Sequence, residues 1–137
     1  MKVIELIIPI EPVAKARART AVRNGVVRSY TPERTQIAQD FIKNFLQPYK
    51  GQCFPIHVPI KMTVIFHRTK SVWLPKKERK PFRKADLDNY CKLCLDGING
   101  ILIPDDAQVT TLVASKVWTD KNKGYIELKL ENDDETL

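Results

Sequence analysis

The sequence predicts an α+β fold: one small domain, residues 1–137, with a mixed β-sheet of about five strands and two main α-helices. Three observations carry this. Apolar residues alternate along several short stretches rich in β-branched types, as strands with one buried face require. Two longer stretches repeat their apolar residues at steps of three and four, the period of a helix. Asn24-Gly25, between two short apolar runs, is a strong signal for a tight hairpin. The length suits one domain with a core that needs no disulfides, and an apolar fraction of 43% argues against wholesale disorder.

Taken in order, residues 2–10 predict a strand through Val3, Ile4, Leu6, Ile7, Ile8 and Ile10, with Pro9 and Pro12 placing it at an edge or an end. Residues 16–30 predict a basic β-hairpin. Thr31-Pro32-Glu33-Arg34 predicts a helix start with Thr31 as the cap. Ile37, Phe41, Ile42, Phe45 and Leu46 form that helix's apolar face, and Pro48 and Gly51 end it. Residues 56–67 predict a strand with Ile60, Met62, Val64 and Phe66 on one face. Residues 69–85 lack any period and predict a long loop. Trp73 within it is expected to pin the loop to the core, the alternative being stacking on a base or sugar. Residues 87–101 predict a helix whose stripe of Leu87, Cys91, Cys94, Ile98 and Ile101 faces the core. Residues 107–118 and 125–131 predict two strands, the second with Ile126, Leu128 and Leu130 inward and Tyr125, Glu127 and Lys129 outward. Residues 131–137 form an acidic tail, with Glu131, Asp133, Asp134 and Glu135, that is expected to fray.

No apolar run approaches the ~20 residues that span a bilayer, and the short alternating start is not a signal peptide. The expected location is therefore the cytoplasm. Cys53, Cys91 and Cys94 form no disulfide framework, which suits a reducing compartment. Cys91-x-x-Cys94 has no second pair to complete a zinc site. The net charge of +7 is clustered. Lys15, Arg17, Arg19, Arg23, Arg28 and Arg34 form one block. Arg68, Lys70, Lys76, Lys77, Arg79, Lys80, Arg83 and Lys84 form another. Two such blocks predict a polyanionic partner, most simply nucleic acid.

Between the second block and the predicted strand at 107–118 lie two acid pairs, Asp86-x-Asp88 and Asp105-Asp106. Asp86 and Asp88 converge only if Asp86 precedes the helix. Lys92 lies one turn beyond Asp88 on the same face, and Asp96 and Asn99 continue that polar stripe. If the strand at 107–118 packs on the helix, the second pair can return toward the first. Such a cluster attracts a hard divalent cation: Mg²⁺ takes oxygen ligands from one or two carboxylates with waters and substrate phosphate, and Mn²⁺ is an expected substitute. It would polarise a phosphoryl oxygen and activate water, and Lys92 would stabilise negative charge in the transition state. The competing reading makes the same residues helix caps, turn residues and an i,i+4 ion pair. An EF-hand is excluded, because the sixth position from Asp86 is Cys91 and the twelfth is Gly97.

The segment "DLDNYCKLCLDGINGILIPDDAQV" closely resembles the signature of the RusA family, Holliday junction resolvases common in phages and prophages. The matching residues are Asp86, Asp88, Asn89, Lys92, Asp96, Asp105, Asp106, Gln108 and Val109, with Lys116 as a later strand lysine and Lys15-Ala16-Arg17-Ala18-Arg19 as a basic N-terminal element. The resemblance implies a homodimer of α+β subunits and a Mg²⁺-dependent endodeoxyribonuclease that cuts four-way junctions in recombination and repair. It implies metal ligands at Asp86, Asp88 and Asp106, with Asp105 as the alternative to Asp106, and a catalytic lysine at Lys92. Asn89 and Asp96 are expected to support the site. DNA contacts are expected from Lys15, Arg17, Arg19, Arg23, Lys76, Lys77, Arg79, Lys80, Arg83, Lys84 and Lys116. The rival readings are a non-catalytic protein that binds branched DNA, and a nuclease of broader branched-DNA specificity.

Overall fold

Alternating apolar residues place four strands in one sheet. A computed structural model describes residues 2–51 and 54–134. Its strands are β1 (Val3–Ile8), β2 (Arg19–Arg23), β3 (Val26–Tyr30), β4 (Ile60–Arg68), β5 (Val109–Trp118) and β6 (Tyr125–Asn132), and its helices are α1 (Glu33–Leu46) and α2 (Leu87–Ile98). The main sheet runs β1-β6-β4-β5, and β2-β3 form a separate two-stranded ribbon. The sheet is mixed: β4 and β5 are parallel, while β6 is antiparallel to both β1 and β4. Parallel neighbours need a long crossover, and the basic loop with α2 supplies it.

One face of the sheet holds the core. Ile60, Met62, Val64 and Phe66 of β4 join Ile126, Leu128 and Leu130 of β6 beneath Cys91, Leu93, Cys94 and Ile98 of α2 and Ala38, Ile42 and Leu46 of α1. Cys91 and Cys94 are buried free thiols, as the apolar stripe predicts. Full burial pushes the Cys94 thiol up to about 12. The helices meet at Gly97, where an added Cβ would lie 2.6 Å from Ile42 Cγ2. Among the described residues, no helix is long and apolar enough to cross a membrane.

The hairpin forms where it was predicted. Asn24 and Gly25 adopt φ of 53° and 77°, the left-handed pair that a two-residue hairpin turn demands. Five expectations are corrected. Pro32, not Thr31, occupies the cap position of α1, because its own backbone is extended (φ −53°, ψ 142°) and the first helical residue is Glu33. β4 begins at Ile60 instead of 56, since His57 has a φ of 67° and Pro59 gives no N–H to a ladder. α2 ends at Ile98 instead of 101, with Asn99 extended. Tyr125 is buried instead of outward, its ring stacked 4.0 Å from that of His67. The acidic tail continues β6 through Asn132, and Asp133 accepts hydrogen bonds from the hydroxyls of Thr110 and Thr111. Cys53 and the last part of the predicted tail, residues 135–137, lie outside the described residues.

The long loop appears as predicted, but the tryptophan that pins it is a different one. Trp73 is 91% exposed. Trp118, at the end of β5, reaches the loop instead and donates its indole N–H to the Glu78 carbonyl at 3.1 Å.

Candidate active site and nucleic-acid surface

Asp86 takes the cap position of α2 with extended backbone (φ −72°, ψ 139°), yet its side chain makes no capping hydrogen bond. Its carbonyl accepts from the N–H groups of Asn89 and Tyr90. The carboxylate is therefore exposed and not consumed by the helix. Asp88 lies in the first turn, and Lys92 Nζ stands 4.0 Å from its Oδ2, with both side chains largely exposed. So open a pair contributes little to stability, and both groups keep the freedom to turn toward a ligand.

Asp96 has a different task. It is paired with the Lys15 ammonium and accepts a hydrogen bond from Gln39 Nε2 at 3.1 Å. The Lys15 N–H donates to the Asn89 carbonyl at 2.9 Å. Asp96 and Asn89 thus fasten the start of the basic N-terminal segment to α2. Lys15, expected at the DNA, is held against the helix, while Arg17, Arg19 and Arg23 stand exposed along the ribbon and its approach. Lys116 is likewise occupied: its ammonium donates to the carbonyls of Arg83 (3.0 Å) and Ala85 (2.8 Å). Arg68 donates to the Lys84 carbonyl at 3.1 Å. Lys116 and Arg68 together fix the backbone that delivers Asp86.

The second acid pair is divided. Asp105 Oδ1 accepts the Ala107 N–H at 3.0 Å and caps a short 3₁₀ turn, Asp106–Gln108. The Asp106 N–H donates to Asn99 Oδ1 at 3.1 Å, which ties it to the C-terminal end of α2 and leaves its carboxylate outside that cap. Gln108 Nε2 donates to the carbonyls of Pro55 and Val58, fixing the turn from the other side.

The two pairs thus sit at opposite ends of α2. Its twelve residues rise about 18 Å, far beyond the reach of one cation. Among the described residues, no group of three or more His, Cys, Asp or Glu is placed to hold a metal ion. The structure does not bring Asp106 back to Asp86 and Asp88 within one chain. The donor chemistry still suits Mg²⁺: Asp86 and Asp88 are exposed hard carboxylates at one helix end and Asp106 is a half-buried one at the other, and Mg²⁺ takes one or two carboxylates with waters and phosphate oxygens.

Sequence reasoning overlooked one feature. A cavity of about 520 Å³ opens beside Ala85, lined by Arg19, Arg34, Arg68, Lys84 and Tyr90 with Glu11 as its acid. Arg68 lies 5.8 Å from the Tyr90 ring centroid and 5.6 Å from that of Trp118. Burial raises the Tyr90 pKa, and Arg68 opposes the rise, so the phenol stays protonated. The charges come from four separate segments, so no single stretch of sequence announces the cleft. Of the other loop cations, Lys76, Lys77, Arg79 and Lys80 are exposed, and Arg83 pairs with the buried Glu78 at 3.0 Å.

Comparison with known proteins adds an independent finding. A family model described as "Endodeoxyribonuclease RusA" matches residues 9–129, nearly the whole chain. The "Uncharacterized protein YqaN" of Bacillus subtilis (strain 168) is 30% identical over 129 residues, covering 87% of this chain and 90% of that relative.

Proposed function

The chain belongs to the RusA family of endodeoxyribonucleases, and from that premise we propose a Mg²⁺-dependent nuclease that resolves four-way DNA junctions by paired symmetric nicks. The observation that carries the reading is the state of the acids. The side chains of Asp86, Asp88 and Asp106 make no capping hydrogen bond, whereas that of Asp105 does. On this reading Asp86, Asp88 and Asp106 hold the metal and Asp105 shapes the turn.

Bound Mg²⁺, or Mn²⁺ in its place, would polarise the scissile phosphoryl group and lower the pKa of a water. The protein's own groups do the rest. Lys92, exposed beside Asp88, stabilises negative charge gathering on the phosphoryl oxygens. Arg19, Arg34, Arg68 and Lys84 line a cleft suited to the backbone next to the cut. The exposed arginines of the ribbon and the loop lysines extend the grip, so affinity should fall steeply with salt.

The acids at opposite ends of α2 support a homodimer. A two-fold axis that lays two copies of α2 antiparallel sets Asp86 and Asp88 of one beside Asp106 of the other. Two equivalent sites then face a substrate that itself has approximate two-fold symmetry.

The test is cleavage of a labelled synthetic four-way junction beside a linear duplex of the same sequence, with Mg²⁺ or EDTA. Wild type should nick the junction in symmetric pairs only with Mg²⁺, and Asp88→Asn should bind it and leave it uncut. Tight binding without cleavage across metals and sequences would favour a protein that only holds branched DNA. Cutting of flaps and forks as fast as junctions would favour the broader nuclease.

A further inference from the structure

The loop between β4 and α2 offers water an aromatic tip. Val72 and Trp73 are each 91% exposed, and Phe82 is 71% exposed. Beneath them the loop has a built base. Glu78 is buried at its centre, and its carbonyl accepts from Lys70 Nζ at 2.7 Å as well as from Trp118. Its carboxylate takes Arg83 Nε at 3.0 Å. The Trp73 N–H donates to Ser71 Oγ and the Leu74 N–H to the Ser71 carbonyl, closing a turn that presents the indole outward. A large apolar side chain left in water forgoes the stabilisation that burial would bring, so a fixed loop that displays one suggests a partner.

The surround selects that partner's chemistry. Lys76, Lys77, Arg79, Lys80 and Lys84 are exposed along the same loop, while the loop's acid, Glu78, is buried and paired. An aromatic face among cations matches a partner that carries flat apolar rings and dense negative charge together, which is nucleic acid with open bases. In linear duplex the base faces are stacked on one another and closed. At a branch point the stack is interrupted and faces open. We propose that Trp73 stacks on an exposed base at the branch point while the loop's cations hold the flanking phosphates, and that this contact favours branched over linear DNA. The proposal rests on the nuclease reading and names the residue that selects its substrate.

Binding in EDTA tests it separately from cleavage. A four-way junction carrying 2-aminopurine at the branch point, and the matching duplex, are titrated with wild type, Trp73→Ala and Trp73→Phe. Wild type and Trp73→Phe should quench the 2-aminopurine emission, and Trp73→Ala should not. Trp73→Ala should lose between about five-fold and a hundred-fold in junction affinity while binding duplex within about two-fold of wild type. Quenching and binding by Trp73→Ala equal to wild type would overturn the proposal, as would an equal loss on both DNAs. So would a Trp73 emission, taken as wild type minus Trp73→Phe, that acrylamide cannot reach in the free protein; the tip would then be covered by a second copy of the chain. Failure to cut with Mg²⁺ while these binding results hold would sink the nuclease reading alone.

Discussion

Asp105 and Asp106 are neighbours with the same side chain and opposite commitments. The Asp105 carboxylate is spent on the Ala107 N–H, while Asp106 is anchored by its backbone through Asn99 and keeps its carboxylate free of that cap. This separates a structural acid from a candidate ligand. Asp105→Asn should retain cleavage within about three-fold and cost at most about 1 kcal/mol, the usual worth of a cap. Asp106→Asn should lose at least about a hundred-fold in cleavage with its melting temperature unchanged. Rates on the labelled junction and thermal melts of both variants decide it; the reverse pattern would make Asp105 the ligand. The sequence supplied the residue types and their spacing but could not divide the labour, because that depends on which backbone N–H each carboxylate meets. The same holds for Lys15 and Lys116, which read as DNA contacts and prove to be fastened to Asp96 and to the carbonyls before Asp86.

At the scale of elements, local chemistry was legible and long-range contact was not. Asn24-Gly25 announces its hairpin because two consecutive left-handed residues suit few other sequences. Helical spacing found α1 and α2, but their ends shifted where Pro32 and Asn99 set the backbone. Two tryptophans were in view, and only the fold shows that Trp118 is the one close enough to pin the loop. Gly97 is a further contact the sequence hid: glycine ordinarily weakens a helix, and this one is where α2 meets Ile42. Alanine there gains about 1 kcal/mol in helix propensity. It also drives a methyl to 2.6 Å from the Cγ2 of a fully buried side chain, and overpacking a tight core costs typically about 1–3 kcal/mol. Gly97→Ala should therefore destabilise the protein, lowering the urea midpoint with an unchanged slope. A raised midpoint would mean that the two helices part without cost.

For the whole molecule the decisive feature is the length of α2. The crossover between β4 and β5 carries one acid pair to each end of the helix, and Lys116 and Asn99 hold those ends to the neighbouring backbone. A site within one chain would need the fold to give up about 18 Å of helix, whereas a site shared by two chains needs only a two-fold axis. The two arrangements differ in what mixed dimers do. Asp88→Asn and Asp106→Asn should each be inactive alone. If the sites are shared, a dimer of the two variants places the intact Asp86 and Asp88 of one copy against the intact Asp106 of the other. It gathers both defects in the second site. One site is then wholly native, and co-refolding the two inactive variants should restore nicking. The mixture would yield singly nicked junctions, because the opposed strand meets the doubly defective site. If instead each chain carries its own site, every site in the mixture lacks one acid and no activity returns. The assay needs only the two variants, a junction labelled on opposed strands and a denaturing gel. Recovery of single nicks would establish that the second copy completes the site, and silence from a mixture shown to contain mixed dimers would return the acids to a single chain.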